Sequence, residues 1–422
     1  MLRLLKNQRG VAFILVIATI AFITPVVLDF FLDSQRRVQV TRNHQKRLQA
    51  YYLSKSAVNF SKLILYYNKE VDSALSKKGV SMGSLGYEPL YKMIPLDTEL
   101  LRAMVDLQGI DPADLAGEGA DEESQEMMEN AQNSVSQLKQ DDLKNFLNFP
   151  GNFRSEISEE QAKYAINAVS KMTTASESFE IHKKVLLSIL KRKLFLNFFE
   201  NQDYDTVQLV NNIADFIDNN GVINDFDKVE RGAESSQYPR EADYKVKNAP
   251  LMTLSELRLV PGMTDDIYET LKPFVSVFHT TDKINICLAD PTVVDALIVH
   301  YTNYSKCTSP LDAEDDGEEI AKLREASLMG CPDKTQVAML LNQELGLKEI
   351  DPNKGRTAET KSTSSKVADC EIQFEDFLSD KNDIFQVTTT GQVGEVAVKM
   401  TTVLDTSAKK PSQWKVLYFH LE

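Results

Sequence analysis

The sequence VAFILVIATIAFITPVVL, residues 11–28, contains no charged residue and decides how the rest of the chain is organised. A helix of about 18 residues is about 27 Å long, which is enough to cross the hydrocarbon core of a membrane. Arg3, Lys6 and Arg9 precede this run. Because positive residues are retained on the cytoplasmic side, the sequence predicts a cytoplasmic N-terminus and an extracytoplasmic domain beyond Asp33.

Gly10 stands between the basic leader and the apolar run. The run itself could be either a cleaved secretory signal peptide or a membrane anchor that is retained. A secretory signal has an apolar core of about 7–15 residues and a small-residue cleavage site. This run is longer and continues into DFFLDSQRRVQV. The segment RGVAF, residues 9–13, resembles the signal of the prepilin family. That resemblance implies cleavage by a membrane peptidase between Gly10 and Val11, followed by N-methylation of Val11.

The helix is expected to continue beyond the membrane. Residues 29–68 contain neither Pro nor Gly and are rich in good helix formers. Leu48, Tyr52, Leu63 and Tyr66 recur at helical spacing on one face. This stripe predicts the face that packs against a globular head.

Composition restricts the classes of function. The 422 residues allow about two or three domains, and the net charge of −15 argues against nucleic-acid binding through a basic surface. GxSxG, P-loop and HExxH motifs are absent and the five histidines are scattered, so we predict no catalytic residues and no enzyme activity.

The four cysteines form no CxxC motif, which disfavours a zinc site. An oxidising compartment would permit disulfides, and Cys307 and Cys331 are the first candidate pair, with the connectivity left open.

Oxygen-bearing side chains are concentrated after a helix predicted over residues 205–219. They are Asp215, Asp218, Asn219, Asn220, Asn224, Asp225, Asp227, Glu230 and Glu234. Calcium takes six to eight oxygen ligands, which such a loop can supply. Val222 and Val229, however, occupy positions at which an EF-hand needs oxygens. Spacing alone therefore favours a solvated acidic loop over a metal site.

A helix, a Pro261-Gly262 hairpin and a second helix reaching about residue 277 resemble the helix-hairpin-helix unit of DNA-binding proteins. Asp265 and Asp266 follow the hairpin directly and would repel a phosphate. We therefore interpret this unit as a packing domain that does not bind DNA.

Four segments together resemble type II secretion system protein K, the large minor pseudopilin of the general secretion pathway. In chain order they read LVNNIADFID, RGAESSQY, APLMTLSELRLVPGMTDDIYETLKPFVSV and KINICLADPTVVDALI. The resemblance implies an α+β fold in which a pilin-like long N-terminal helix packs on an antiparallel β-sheet. A large helical domain, SAM-like or helix-hairpin-helix-like, is expected to be inserted into that sheet.

The expected boundaries follow the same resemblance. They are a leader peptide (1–10), a transmembrane and pilin helix (11–70), an acidic insertion with the first strands (71–172), the inserted helical domain (173–301), a linker with cysteines (302–370) and C-terminal pilin strands (371–422). The β-rich segments 385–389, 395–400 and 414–419 are predicted to form the sheet.

The resemblance also implies a function. Family members form the tip and initiation complex of the periplasmic pseudopilus, with other minor pseudopilins (I- and J-type) and the major pseudopilin. Prepilin peptidase and the inner membrane would be further partners, the C-terminal domain would be periplasmic, and no nucleic acid is expected. Major pilins carry a Glu at the place of Leu15, where it neutralises a neighbour's amine, so Leu15 agrees with a tip position. The alternative is a minor pilin of a type IV pilus or DNA-uptake machine.

Family members also bind structural calcium in the helical domain. Glu234 matches the glutamate of the family's G-A-E segment, and Asp218 matches the aspartate at the preceding helix end. Ser235 and Ser236 stand where the family has acidic residues. The candidate replacements as calcium ligands are Asp225, Asp227 and Glu230.

Overall fold

The fold combines one very long helix, an antiparallel sheet and a separate helical core. The structure, a computed structural model, describes residues 8–77, 88–94, 96–100, 102, 149–171, 177–199, 205–223, 225–226, 232–237, 245–279, 283–305, 322, 324–325, 334–344, 377–379 and 382–422. The helices in these ranges are α1 (Gln8–Lys77), α2 (Leu90–Met93), α3 (Glu177–Leu190), α4 (Lys193–Phe199), α5 (Thr206–Ile217), α6 (Asp265–Leu271), α7 (Pro291–Ser305) and α8 (Lys334–Glu344). The strands are β1 (Leu96–Asp97), β2 (Asn152–Glu159), β3 (Tyr164–Ala165), β4 (Val275–Ser276), β5 (Ile384–Val393), β6 (Val396–Asp405) and β7 (Lys415–Leu421).

Helix α1 has two functionally different halves. Among the described residues it is the one helix long and apolar enough to cross a membrane. No residue of its most apolar segment is buried inside the protein. Its second half carries the buried residues Ala50, Leu53, Val58 and Leu65. One continuous helix of 70 residues therefore joins an apolar, fully exposed segment to the core of the head.

The sheet has five antiparallel strands in the order β1-β2-β5-β6-β7. The three C-terminal segments predicted as strands are β5, β6 and β7. Strands β5 and β6 pair in full register from Ile384–Asp405 to Val393–Val396, and Gly394 takes the positive φ of 61° that their tight turn needs. Buried and partly buried residues alternate along most of β5, so one side of the strand faces α1.

The face of α1 that packs on the sheet differs from the predicted stripe. Leu48, Tyr52 and Leu63 are 57%, 57% and 47% exposed. The fully buried positions are instead small residues at helical spacing: Ala50, Ser54, Ala57 and Ser61. Tyr66 of the predicted stripe does pack partly against the core, so the prediction was wrong for Leu48, Tyr52 and Leu63. A stripe of large apolar side chains does not mark the place where two backbones approach closely, because that approach requires the smallest side chains.

Gly391 of β5 is the counterpart of these small residues. A Cβ atom at this position would lie 2.2 Å from the carbonyl oxygen of Ala50 and 2.8 Å from the amide nitrogen of Ser54. The Ser54 hydroxyl donates to the Val398 carbonyl (2.7 Å), so this polar group is satisfied inside the contact. The backbones of α1 and β5 are therefore in direct contact, with no room for a side chain between them.

The helical domain is inserted between β2 and β5, which are neighbours in the sheet. Its core is built from residues of α3 to α8 and includes Phe195, Leu209, Ile213, Leu257 and Leu297. The helix after the Pro261-Gly262 hairpin ends at Leu271, earlier than predicted, and the chain continues into β4, which pairs in parallel with β3. The pilin-like α+β fold with an inserted helical domain is thus confirmed.

The contact between Gly391 and α1 can be tested by adding a single methyl group. We expect Gly391→Ala to lower the free energy of unfolding by about 1–3 kcal/mol, because backbone atoms rather than a flexible side chain must move. The measurement is urea unfolding of the full-length protein in detergent, followed by fluorescence of Trp414, the single tryptophan, which is buried in a neighbouring cluster between α1 and the same sheet.

Thr390→Ala is the matched control, because Thr390 precedes Gly391 on the opposite, partly exposed side of β5. We expect it to cost less than about 1 kcal/mol. Equal effects of the two variants would contradict the close contact.

Candidate metal centre

The C-terminal end of α5 supplies two of the three acidic side chains in the candidate site. Asp205 caps the start of the helix by accepting a hydrogen bond from the Gln208 amide (2.7 Å), and Asp218 is the C-terminal cap residue. Asp215 and Asp218 are three residues apart and therefore lie on the same side of the helix end. Both are 1% exposed.

Asp218 is held by the turn that follows it. Its two carboxylate oxygens accept hydrogen bonds from the backbone amide of Asn220 (3.1 Å) and from the Asn220 side chain (2.9 Å). This Asx turn fixes the orientation of the carboxylate and reverses the chain at the helix end.

Glu234 is brought to the helix end by a short antiparallel contact. Val222 bridges Ala233, and the Glu234 amide donates to the Gly221 carbonyl (3.2 Å). Gly232 takes a φ of 107°, which a residue with a side chain rarely adopts, and this lets the chain turn back. The local backbone therefore explains why the Gly-Ala-Glu segment places its glutamate beside α5.

Asp215, Asp218 and Glu234 form a buried carboxylate cluster. One oxygen of each lies within 4.8 Å of the others, and within the described ranges no other group of three acidic, His or Cys residues comes this close. Neither carboxylate oxygen of Glu234 has a hydrogen-bond partner in the described part of the chain, although the residue is 1% exposed. A buried carboxylate without partners is costly unless it is protonated or binds a cation.

Asn248 lies beside the cluster. Its side-chain nitrogen donates to the Asn220 carbonyl, which fixes the orientation of the amide. Its buried Oδ1 has no hydrogen-bond partner among the described residues, and the side chain is near enough to Glu234 to lower the pKa of that carboxyl. Asn248 adopts a φ of 48°, a left-handed conformation that Asn tolerates better than most residues.

The cluster strongly disfavours ionisation in the absence of a cation. Burial, together with the nearby Asp218 and Asp215, raises the pKa of Glu234 to about 8. Burial also raises the pKa of Asp218 to about 6, against the lowering effect of the Asn220 hydrogen bonds and of Lys183. Carboxylate and amide oxygens are the hard ligands that calcium prefers. The residues present therefore fit a calcium ion, with Asp215, Asp218 and Glu234 as oxygen donors.

The predicted ligands are distributed unevenly. Asp218 and Glu234 come together, and Asp215 joins them although it was not in the predicted ligand set. Asp225 lies apart from the cluster and accepts hydrogen bonds from the Asn211 side chain (2.9 Å) and the Phe226 amide (2.7 Å). Asp227 and Glu230 lie outside the described residues. The three-residue spacing of Asp215 and Asp218 on a helix was the signal in the sequence that would have found Asp215.

The other predicted sites are only partly described. Gly10 lies in α1 and is exposed, with nothing within 4 Å of the position its Cβ would take, and the backbone of Val11 continues the helix. Cys287 is disulfide-bonded. Cys307 and Cys331 lie outside the described residues, so their pairing stays a prediction.

The architecture is that of a pilin-like subunit with an exposed apolar anchor helix and an inserted helical domain that carries the acidic cluster. Residues 162–280, which include that cluster, match the family model described as type II secretion system protein K. The resemblance to protein K is therefore confirmed for this part of the chain.

One solved structure that matches part of this chain is the GspK-GspI-GspJ complex from the enterotoxigenic Escherichia coli type 2 secretion system. The similarity covers 65% of this chain and 81% of the chain in that structure, with 19% sequence identity and a TM-score of 0.43. No curated protein is similar enough to the chain to count as a match.

The raised pKa values predict how stability depends on pH without metal. A carboxyl whose pKa is raised on folding stabilises the protein at low pH, and this contribution is lost as pH rises through the folded-state pKa. In chelator, stability should therefore fall between about pH 4.5 and pH 8 as Glu234 ionises. We expect Glu234→Gln to become more stable than the wild type at the upper end of this range, by a few kcal/mol at most.

The measurement is the melting temperature of both proteins in EDTA at pH 5 and pH 8. The difference between variant and wild type removes the pH response of all other groups. A difference that stays constant between the two pH values would contradict the burial of an unpartnered Glu234.

Proposed function

We propose that this protein is a minor pseudopilin of the type II secretion system and lies at the tip of the periplasmic pseudopilus. The observation that carries the proposal is the position of the segment matching protein K. It forms a helical domain inserted into a sheet that packs directly on a helix with a membrane-spanning composition. Such a subunit would first be anchored in the membrane by α1. The helix and the head packed on it would then enter the filament together.

The proposed partners are the I-type and J-type minor pseudopilins, the major pseudopilin and prepilin peptidase. The proposed location is the inner membrane, crossed once, with a cytoplasmic leader and a periplasmic head. Leu15 supports the tip position, because an apolar residue there cannot neutralise the N-terminal amine of a subunit above. In this role the protein supports export across the outer membrane without catalysing a reaction, and the absence of enzyme activity stays a prediction.

Processing after Gly10 gives a direct test. We expect Gly10→Leu to keep its leader, to run more slowly on a denaturing gel than the processed wild type, and to abolish secretion. A bulky residue at this position meets nothing within the protein itself, so a loss of processing would reflect failure of the peptidase to accept it.

Ala12→Val is the matched control, because Ala12 is equally exposed in α1 and lies on the other side of the expected cleavage point. It should be processed and secrete normally. A Gly10→Leu protein with the mobility of the wild type would overturn the prepilin assignment.

We further propose that calcium is a structural cofactor of the inserted domain. The unpartnered Glu234 beside Asp215 and Asp218 supports this, because a cation would balance carboxylates that now repel one another. The ion would tie the loop after α5 to the helix end. Binding of an ion only to the folded state stabilises that state, by about 2.7 kcal/mol at a hundredfold excess over the dissociation constant.

Thermal melting tests the calcium proposal. We expect calcium to raise the melting temperature of the full-length protein in detergent by about 5 °C relative to EDTA. Asp218→Asn should remove most of the shift. Asp266→Asn, at an exposed position of α6, should keep it, and a wild type that melts equally with calcium and EDTA would exclude the ion.

The alternative of a DNA-uptake pilin is less well supported by the hairpin. Arg258, the basic residue nearest the hairpin turn in the described segment, already pairs with Asp265 (3.2 Å) and Glu269 (2.8 Å) and lies over the Tyr268 ring. The Pro261 carbonyl accepts a hydrogen bond from the Asn212 side chain (2.9 Å), so the hairpin packs against α5. Both contacts favour an internal packing role over phosphate binding.

A further inference from the structure

Lys183 of α3 is a lysine in an unusual environment. Its side chain is 1% exposed. The ammonium nitrogen lies 4.4 Å from the centre of the Phe226 ring and 5.5 Å from that of Phe179. A cation that is excluded from water in this way needs nearby negative charge.

Carboxylates supply that charge from several elements. Glu180, one turn earlier on α3, places an oxygen 3.7 Å from the ammonium. Asp215 and Asp225 also interact with it electrostatically: burial lowers the pKa of Lys183, and Glu180, Asp215 and Asp225 oppose that change. The ammonium makes no hydrogen bond of ordinary length within the described residues. Lys183 is therefore paired with Glu180 and also lies in the field of Asp215 and Asp225.

Two of the residues in this field also belong to the metal cluster. Asp215 interacts with Lys183 and with Glu234, and Asp218 does the same. The same two carboxylates therefore interact with the ammonium and take part in the candidate cation site. Glu234 also belongs to that site, and both of its oxygens are unpartnered in the described part of the chain.

We propose that Lys183 is an internal counter-cation that shares Asp215 and Asp218 with the bound calcium ion. Without calcium, the ammonium holds these repelling carboxylates together and keeps the site formed. With calcium, the ammonium and the ion repel each other at close range, so Lys183 also weakens calcium binding. The inference rests on the proposed calcium site and deepens it, because it names the residue that sets its affinity.

Lys183→Met separates these two effects, because methionine keeps most of the side-chain length and packs against aromatic rings without a charge. We expect it to bind calcium about tenfold more tightly than the wild type, since a buried like charge near the site is removed. In EDTA the same variant should melt at a lower temperature than the wild type. A purely structural role for Lys183 would lower the melting temperature without tightening calcium binding.

Lys184→Met is the matched control. It removes the same charge from the next position of α3, but Lys184 is only partly buried and acts on His300. Its calcium affinity should equal that of the wild type.

Glu180→Gln is a second test, with an effect of opposite sign. It removes the carboxylate that is paired with Lys183, so the ammonium would interact more strongly with Asp215 and Asp218. We therefore expect calcium binding to weaken.

The experiment is calorimetric titration of the full-length protein in detergent with calcium chloride, together with melting in EDTA. If the wild type binds calcium and Lys183→Met binds it equally or more weakly, the counter-cation role of Lys183 is overturned. The calcium site itself stands in that case. No binding by either protein overturns the calcium site, and the shared role of Lys183 fails with it. Should Lys183→Met not fold, Glu180→Gln decides, because unchanged or tighter binding in that variant overturns the proposal.

Discussion

The structure depends on one close contact, the approach of α1 to β5 at Gly391. Because no side chain separates the two backbones there, the helix that would lie in the membrane is also the rigid support of the sheet. The contact extends along α1 to Lys69, whose ammonium bonds Asp383 (2.6 Å) at the start of β5. The Asp383 amide in turn donates to the side chain of Gln161, where the chain enters the helical domain. The long helix, the sheet and the inserted domain are thus joined by one short chain of contacts.

Local sequence patterns were sufficient for the elements but not for their contacts. The β-rich segments became β5, β6 and β7, because alternation along a strand is a local property. The buried face of α1 was not predictable in the same way, since Ala50 and Ser54 become a packing surface only opposite Gly391, more than 300 residues later in the chain. Likewise, the helical spacing to Asp218 marks Asp215 in the sequence, but only the turn back through Gly232 places Glu234 beside these two residues.

The helical domain contains two kinds of buried charge, and the difference bears on function. Both carboxylate oxygens of Asp295 accept from Nη1 of Arg324 (2.7 Å each), and Asp295 lies 3.5 Å from Arg192, so its charge is balanced within the protein. Lys183 acts on Asp215 and Asp218, and these two carboxylates act in turn on Glu234. Glu234, whose two buried carboxylate oxygens lack a hydrogen-bond partner in the described part of the chain, is the residue on which the proposed cation rests.

The failed prediction for α1 also bears on assembly. Leu48, Tyr52 and Leu63 repeat on one side of the helix but face away from the sheet, on the part of α1 beyond the apolar segment. Large apolar side chains exposed in a row are unfavourable for a subunit that stays alone in water. In a filament of the kind proposed, the same residues would pack against helices of neighbouring subunits, while the small residues on the opposite side fix the head. The two faces of α1 then have separate roles, and the small residues make the closest contact with the sheet.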